Sequence, residues 1–554
     1  MQQLTGMDNF FLESETGHVY NHVASLGIYD PSTAPGGKVR FKEILKHFES
    51  RLQLSKVFSR RLVTVPHGID RPYWIEDPNI DIEFHIRHIA LPHPGDWRQL
   101  MIQVARLHSR PLDRSRPLWE IYVIEGVDTI PGMPVGAFAL FSKFHHSSVD
   151  GMAAAGLFRK LHTTSPAEDH DEYDPAARHD QYADREPLAL ELYSRALAHG
   201  AERIVGVGKF AIKSTRLLAG IATKLLRQTL DPAGNNIDLA ALRAAAGYGP
   251  APHTRFNRKV SANRAVEAVG LPFADIKTIR THIRSVTMND IFLAVAGGSV
   301  RKYLASKGEL PGEGLRALMP MSLRAAGETA AAKGGNETSG VAVLLHSEIG
   351  DPVERLAAIH QDTAAAKAGS EIVGPDMVAS IYNEFPFLVS NYLIRKLVLD
   401  QLNCTVSNVR GPDVPMYVAG ARAVHFYPVS IPIDYVGLNL TGFSYNNVLW
   451  ISAVACRNMV PDPAFLAQCM REAFDELLTA AKAMPEASEV VAPVQPARKS
   501  SKKLPLASKA PASAATGKKT KARGAATTRK PRTKASVSTG KRGKQGKGLT
   551  SAKL

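Results

Sequence analysis

Two segments in the first third of the chain have the hydrophobic pattern of β-strands. Trp119–Glu125 and Val135–Phe144 are rich in aromatic and aliphatic residues, which favour a half-buried pleated surface. Pro131-Gly132, a common turn signal, lies between them. The pattern therefore predicts two strands joined by a turn.

A helical pattern follows the second strand and starts at about Asp150. Its apolar residues recur at intervals of three and four positions, the spacing of one helix face: Ala154, Leu157, Phe158 and Leu161. Asp150 can cap this helix, because its carboxylate can accept hydrogen bonds from exposed backbone N–H groups. The predicted order is strand, short loop and helix.

A second folded unit is predicted from about Phe256 onward. Its apolar and strand-like segments are, in order, Ile291–Val300, Val341–Leu345, Val436–Tyr445 and Val448–Cys456. The last two flank Asn446-Asn447 and should form a β-hairpin.

A helix from Asp462 to about Met484 should close this unit. Its inward face is predicted from the same helical spacing: Leu466, Cys469, Met470, Ala473, Phe474 and Leu477. Strands and helices occur in both halves, so the predicted fold class is α/β with two units.

The segment between the two units is mainly polar or basic. Residues 163–190 are rich in Asp, His and Pro, which suggests a surface crossover. Residues 203–230 form a basic amphipathic helical pattern without an acidic residue. Such a helix can lie on an anionic membrane or pack on its own protein as a linker, and both interpretations stay open.

The C-terminal segment differs in composition from the rest of the chain. Beyond about Met484 there is no aromatic residue, and such a segment buries too little apolar surface to offset its ordering entropy. Residues 498–554 hold 18 lysines and arginines and no acidic residue, so the formal net charge of +16 leaves about −2 for the remainder. We predict a disordered basic tail, with non-specific binding of DNA or another polyanion as one role.

Composition narrows the class of protein for the rest of the chain. Of the 554 residues, 44% are hydrophobic and 22% charged, which is typical of a folded globular protein. The three cysteines lack Cys-x-x-Cys spacing, which argues against a disulfide framework and fits a reducing cytosol. Neither a secretory signal nor a membrane-spanning helix is expected from the apolar runs.

The most specific chemical signal is Phe144-His145-His146-Ser147-Ser148-Val149-Asp150-Gly151, a His-His-x-x-x-Asp-Gly motif. It falls between the predicted strand and helix, so the strand can give the histidines a rigid mount. Imidazole has an ordinary pKa of about 6.5 and is available as a neutral base near pH 7. This loop is therefore predicted to carry a general base.

Two other roles for the histidine pair are considered. Together with Asp150 the pair could bind a metal ion, but the sequence offers no further donors at suitable spacing. A purely structural pair is the second alternative. We predict no metal and no cofactor.

Several sequence blocks resemble the bacterial wax ester synthase/diacylglycerol acyltransferases, a branch of the CoA-dependent acyltransferase superfamily that carries the His-His-x-x-x-Asp-Gly motif. Leu4–Leu12 is similar to the family's opening, and Pro117–Glu120 matches its Pro-Leu-Trp-Glu segment. Further blocks are Asn289-Asp290, Met319–Arg324 with Gly335-Asn336, Ser407–Pro412 and Gly437–Tyr445. The resemblance covers about residues 4–480 and leaves out the basic tail.

The resemblance implies roles for individual residues. His146 would be the proton acceptor, which activates an alcohol hydroxyl to attack the thioester of acyl-CoA. His145 and Asp150 would support the loop. Asn289 and Gly151 would belong to the substrate-binding side of the site. Acyl-CoA would be a substrate, and no cofactor would be needed.

The resemblance also implies a fold and a division of the chain. Two α/β half-domains, similar to chloramphenicol acetyltransferase, would surround a central tunnel. They would span residues 1–190 and 256–484, with a helical crossover at 191–255 and the tail at 485–554. The expected reaction moves a long-chain acyl group to a diacylglycerol or a long-chain alcohol. The expected location is the cytoplasm, in peripheral association with the membrane or lipid inclusions.

Alternative functions of the chain, and the roles of some residues, stay open in the sequence. The acceptor could be a different or carrier-bound one, or the chain could be a non-catalytic lipid-inclusion protein with a nucleic-acid-binding tail. For Pro117–Trp119, core packing is favoured over substrate contact, since a strand Trp is usually buried. Asn408 and Arg410 could serve a turn or touch substrate, whereas Asp290 is expected to be structural.

Overall fold

The computed structural model describes residues 1–149, 151–167, 185–200, 251–322, 338–369, 389–392, 395 and 398–488, with only the backbone for 151–154, 321–322, 338–339 and 365–369. One compact unit spans Met1–Val494. The second, Gln495–Leu554, lies outside the described residues, as does the predicted basic helix at 203–230. Within the described part of the chain, no helix has both the length and the apolar character needed to cross a bilayer.

Among the residues that the structure describes, the strands form three sheets. In chain order they are β1 (Gln2–Gln3), β2 (His22–Asp30), β3 (Arg60–Val63), β4 (Tyr73–Glu76), β5 (Ile86–Ala90), β6 (Trp119–Glu125), β7 (Phe138–His145), β8 (Arg264–Pro272), β9 (Arg316–Ser322), β10 (Thr338–Leu344), β11 (Cys404–Arg410), β12 (Tyr417–Val418), β13 (Ala421–Val429), β14 (Leu438–Tyr445) and β15 (Val448–Cys456).

The helices of the described ranges pack around these sheets. They are α1 (Gly6–Glu13), α2 (Phe41–Arg51), α3 (Ile82–His85), α4 (Trp97–His108), α5 (Gly151–Leu161), α6 (Phe273–His282), α7 (Met288–Ser306), α8 (Pro352–Gly369) and α9 (Pro463–Lys482). Residues 189–200 are also helical.

The first large sheet carries the histidine motif at the end of one of its inner strands. Its six strands lie in the order β12-β13-β2-β7-β6-β5. β7 runs antiparallel to both β2 and β6, and the pair His22–His145 ends the register with β2. Since β7 ends at His145, two neighbouring strands fix the backbone on which the loop of the histidine motif begins.

The second large sheet has the order β10-β9-β11-β14-β15-β8 and its own buried core. β14 and β15 form the predicted hairpin, and the turn residues Asn446 and Asn447 have φ angles of 52° and 60°. Asn tolerates this left-handed conformation better than most residues, which is why the dipeptide is a strong hairpin signal. The mixed sheets and helices confirm the predicted α/β fold class.

The two halves share strands. β13, from the C-terminal half of the chain, pairs antiparallel with β2 and so completes the first sheet. α4 also packs on β8, and the indole N–H of Trp97 donates to the carboxylate of Glu267. The predicted boundaries at 190, 255 and 484, and the tunnel, stay predictions. The first sheet contains strands from before residue 190 and from after residue 255.

Several predicted elements are confirmed. The first strand has the predicted bounds, Trp119–Glu125, and the second, observed at Phe138–His145, is shifted toward the motif. α5 starts at Gly151, where the helix was expected, and α9 buries all six residues of the predicted face. The apolar segment Ile291–Val300 lies within helix α7.

A buried ion pair joins β7, the strand that ends in the histidine motif, to its neighbour β6. Lys143 on β7 is fully buried, and its Nζ lies 3.1 Å from the carboxylate of Glu120 on β6. Burial lowers the pKa of Lys143, and Glu120 offsets part of this effect. Glu120 also pairs with Arg87 at 3.1 Å and accepts the hydroxyl of Tyr122 at 2.9 Å. The glutamate of the Pro-Leu-Trp-Glu segment therefore acts as a counterion inside the fold.

A glycine in α7 permits close packing of this helix. A Cβ atom at Gly297 would lie 2.2 Å from the carbonyl oxygen of Leu345, a backbone atom with little freedom to move. We expect Gly297→Ala to lower the free energy of unfolding by about 1–3 kcal/mol through overpacking, although alanine favours helices. Urea denaturation of this variant and of Gly156→Ala, a helical glycine with nothing within 4 Å of its Cβ position, checks the prediction. Equal stability of the two variants would contradict it.

His346 lies between two carboxylates next to the end of β10. Its Nδ1 is 3.1 Å from Glu348 and its Nε2 is 2.8 Å from Asp362. Burial alone would lower the pKa of His346, but the two carboxylates raise it from 6.5 to about 9. Because the folded-state pKa is raised, the stabilisation is complete below pH 6.5 and is lost as pH rises toward 9.

The stability of the protein should therefore depend on pH through His346. Relative to His346→Gln, the free energy of unfolding should fall by up to about 3 kcal/mol between pH 6.5 and 9. Urea denaturation of both proteins across this range measures the difference. A difference that stays constant with pH would show that His346 does not titrate there.

Candidate active site

The loop after β7 is held by main-chain hydrogen bonds at both histidines. The N–H of His145 donates to the carbonyl of Leu118 at 3.0 Å, and that of His146 donates to the carbonyl of Asn21 at 2.8 Å. The N–H of Ser148 donates back to the carbonyl of His145 at 3.0 Å and closes a tight turn. The backbone of His146 is thus fixed independently of its side chain.

His145 is buried and uses both of its ring nitrogens. Nδ1 accepts the backbone N–H of Ser147 at 3.1 Å and lies 2.7 Å from the Ser147 hydroxyl. Because a backbone N–H can only donate, the proton of the neutral ring must be on Nε2. Nε2 lies 3.0 Å from the carboxylate of Glu15, to which it donates. The geometry therefore fixes the tautomer of His145.

His146 is in a different environment. Its side chain is partly exposed, whereas its Nδ1 is buried. The imidazole stacks on the ring of Phe11, with centroids 3.9 Å apart and an interplanar angle of 16°. Of the two histidine side chains, that of His145 is buried and that of His146 is partly accessible to solvent.

Residues 11–21 form a support for the loop that the sequence did not predict. The side-chain amide of Asn21 donates to the carbonyl of Phe11 at 2.6 Å and to the hydroxyl of Ser14 at 2.8 Å. Its backbone N–H donates to Glu15 at 2.8 Å, and its carbonyl accepts the N–H of His146. One buried asparagine therefore joins Phe11, Glu15 and the motif.

Glu15 is the charged group of this support. Burial would raise its pKa, but hydrogen bonds from His145, Arg114 and Asn21 lower it below the ordinary value. Arg114 donates to the second carboxylate oxygen at 2.7 Å and to the carbonyl of Leu12 at 2.7 Å. The carboxylate is thus ionised near neutral pH and faces the protonated nitrogen of His145.

One group of side chains here has the composition of a metal site. Among the residues that the structure describes, the donor atoms of Glu15, His22 and His145 lie within 4.8 Å of one another. Binding at Nε2 of His145 would require its proton to move to Nδ1, which faces the N–H of Ser147. Arg114 already pairs with Glu15. The contacts fit a hydrogen-bonded support better than a metal centre, and the absence of a metal stays a prediction.

Asn289 and Asn408 meet in the C-terminal half. Asn289 lies in the first turn of α7, and its Oδ1 accepts a hydrogen bond from Nδ2 of Asn408 at 2.6 Å. Asn408 is on β11, so its role is not that of a turn residue. Arg410 is exposed and pairs with Asp413 at 2.8 Å. The structure therefore links two blocks that are 119 residues apart in the chain.

Asp290 has a structural role, as expected. It is buried, and its carboxylate accepts the N–H of Thr287 at 2.8 Å, which caps α7. It also accepts from His360 at 2.9 Å and from the hydroxyl of Thr363 at 2.8 Å. Burial would raise its pKa, but these hydrogen bonds lower it. The aspartate joins α7 to α8 beside Asn289.

The loop of the histidine motif and the strand that carries Asn408 belong to one core. α5, which follows the loop, packs on β11. Val149 of the loop and Val409 lie in the same hydrophobic cluster, and the rings of Phe158 and Phe443 are 5.8 Å apart. The motif and the Asn289–Asn408 pair are therefore mounted on elements in direct contact.

The Pro-Leu-Trp segment packs in the core, as favoured. Pro117, Leu118 and Trp119 are buried, and the indole N–H of Trp119 donates to the carbonyl of Phe58 at 3.1 Å. The indole also stacks on His85 with centroids 4.2 Å apart. This segment supports β6 rather than presenting a group to substrate.

Asp150 and Gly151 follow Val149 in the chain and complete the motif. Asp150 lies outside the described residues, and Gly151 is the first residue of α5, where only the backbone is described.

Phe11 lies in the Leu4–Leu12 block, but no local pattern marks its contact with His146. Glu15 and Asn21 lie outside every block, and their contacts span more than 100 residues.

Comparison with known families identifies both halves of the chain. Residues 4–292 match the wax ester synthase/diacylglycerol acyltransferase catalytic domain. Residues 334–478 match the C-terminal domain of the same family. The two matches include the histidine motif, Asn289 and Asn408.

Individual proteins give the same result. A candidate diacylglycerol O-acyltransferase of Mycobacterium tuberculosis is 31% identical over 509 residues, which cover 86% of this chain and 97% of the relative. A second one from that species is 30% identical over 502 residues, covering 88% of this chain and all of the relative.

Solved structures show the same fold. The wax ester synthase/diacylglycerol acyltransferase of Marinobacter aquaeolei VT8 has a TM-score of 0.60 at 25% identity and covers 87% of this chain and 100% of its own. A starter condensation domain of rhizomide synthetase, at 12% identity and a TM-score of 0.50, shares the fold; it covers 88% of this chain and 95% of its own. From the matched domains and the full-length relatives, the chain belongs to the wax ester synthase/diacylglycerol acyltransferase family of acyltransferases.

Proposed function

We propose that the protein transfers a long-chain acyl group from acyl-CoA to the hydroxyl group of a diacylglycerol or a long-chain alcohol, with His146 as the general base. The names of its relatives supply the two acceptor classes. The observation that supports the choice of base is the difference between the two histidines. His145 engages both ring nitrogens inside the fold, whereas His146 is partly exposed on a fixed turn.

The proposed step needs one base and no covalent enzyme intermediate. Because Nδ1 of His146 is buried, we assign the proton transfer to Nε2. Nε2 accepts the hydroxyl proton while the acceptor oxygen attacks the thioester carbonyl carbon. The C–S bond then breaks, and the imidazolium returns the proton to the sulfur of CoA. A thioester is already activated, so a positioned base and hydrogen-bond donors for the oxyanion are sufficient.

The remaining predicted site residues keep supporting roles in this proposal. Asn289 is proposed to contact the acceptor side, since the amide of Asn408 holds its side chain in place. Gly151 is proposed to let substrate approach the start of α5, because it has no side chain. Asp150 is proposed to support the loop.

We also propose that the enzyme acts at a lipid surface. Its proposed acceptors and acyl chains partition into lipid, and the tail carries 18 basic residues that can bind an anionic surface or DNA. The acyl transfer and the surface binding are separate properties, since the tail lies outside the compact unit Met1–Val494 that carries the motif.

The experiment that tests the function compares acceptors directly. The full-length protein is incubated with palmitoyl-CoA and either hexadecanol or a diacylglycerol, and both free CoA and the ester product are quantified. We expect acceptor-dependent ester formation with at least one of the two. Formation of palmitic acid alone, with no ester from either acceptor, would overturn the assignment of the acceptor.

A further inference from the structure

The ring of Phe11 lies face to face with the imidazole of His146. The centroid separation of 3.9 Å and the interplanar angle of 16° describe close, nearly parallel stacking. Phe11 is in the last turns of α1, 135 positions before the histidine, so the chain places it there by its tertiary fold.

Several contacts hold the Phe11 backbone and the His146 backbone to the same residue. The amide of Asn21 donates to the carbonyl of Phe11 at 2.6 Å, and the carbonyl of Asn21 accepts the N–H of His146 at 2.8 Å. The N-terminus of α1 is fixed by a capping box between Thr5 and Asp8. Hydrogen bonds to Asn21 therefore hold the backbone of both stacked residues.

The stack has a chemical consequence if His146 is the base. When imidazole takes the hydroxyl proton it becomes a cation, and the face of an aromatic ring attracts a cation. We propose that Phe11 is a positioning residue for acyl transfer, which orients the imidazole of His146 and stabilises the imidazolium formed during the reaction. This inference rests on the proposed function of His146.

The test replaces the ring of Phe11 and measures more than activity. Phe11→Leu keeps an apolar side chain but removes the ring, and Phe11→Tyr keeps the ring. Phe41→Leu is the matched control. The ring of Phe41, on α2, stacks on His88 of the edge strand β5, with centroids 4.7 Å apart and an interplanar angle of 8°. For each protein, kcat, KM for palmitoyl-CoA, the pH profile of kcat/KM and Tm are measured.

We expect Phe11→Leu to lower kcat by about 2- to 30-fold, the range of a cation–π contact, with KM changed little. The acid limb of its pH profile should move to lower pH by about 0.3 to 1.5 units, the same 2- to 30-fold range, since the imidazolium loses its stabilisation. Phe11→Tyr should retain most of the kcat. Phe41→Leu should leave both kcat and the pH profile unchanged.

Two outcomes would overturn the inference. One is a folded Phe11→Leu protein with the kcat and pH profile of the wild type. The other is a loss of activity that is proportional to the decrease in Tm and equal in Phe11→Leu and Phe41→Leu. Phe11 would then only stabilise the fold. Both are distinct from a failure of the proposed function, which would appear as an active His146→Ala protein.

Discussion

Replacement of His146 by alanine should lower kcat for ester formation by about 10²- to 10⁴-fold, the usual contribution of a general base. The variant should remain folded, because the main-chain hydrogen bond from residue 146 to Asn21 does not involve the imidazole. Ester formation at saturating palmitoyl-CoA and acceptor, with Tm measured in parallel, checks both parts.

His145→Ala is the informative comparison. Loss of this buried ring removes its hydrogen bonds to Glu15 and Ser147 and leaves an ionised carboxylate without one of its donors. We therefore expect a lower Tm and a smaller loss of kcat than in His146→Ala. Near-normal turnover of a folded His146→Ala protein would show that another group is the base.

Removal of the Glu120 carboxylate should have the largest effect on stability. Glu120→Leu leaves the cation of Lys143 buried, with the carbonyls of Leu107 and Arg110 as its remaining close partners in the described residues. Breaking a buried ion pair by removing one partner typically costs about 3–5 kcal/mol. We expect a decrease of this size in the free energy of unfolding, measured by urea denaturation.

The double variant Glu120→Leu/Lys143→Met provides the control. It removes both charges, and replacing a buried pair by apolar residues of similar size is often close to neutral. The double variant should therefore be more stable than Glu120→Leu alone. If the two variants were equally unstable, packing rather than the uncompensated charge would be responsible.

The elements that sequence reasoning placed well have strong local patterns. The hairpin has paired asparagines between two apolar strands, and α9 has a continuous helical face that becomes fully buried. The histidine motif was placed correctly between a strand and a helix because the strand and the face of α5 both have clear periodicity. In each case the information lies within about 20 neighbouring residues.

The support of the motif could not be predicted in this way. Glu15 contacts His145 across 130 positions, and Asn408 contacts Asn289 across 119. A single polar residue has no periodicity to mark it, so its partner is defined only by the fold. The pairing of β13 with β2 is likewise non-local, since strand patterns predict strands but not their neighbours.

The central claim is that the acyl group passes directly to the acceptor, without a covalent acyl-enzyme. The most direct test mixes the enzyme rapidly with palmitoyl-CoA, with and without acceptor, and measures the release of CoA. Direct transfer with His146 as the base predicts no burst of CoA release without acceptor, and one CoA for each ester formed when acceptor is present. A burst of one CoA per enzyme in the absence of acceptor, with the acyl group bound covalently to the protein, would contradict it.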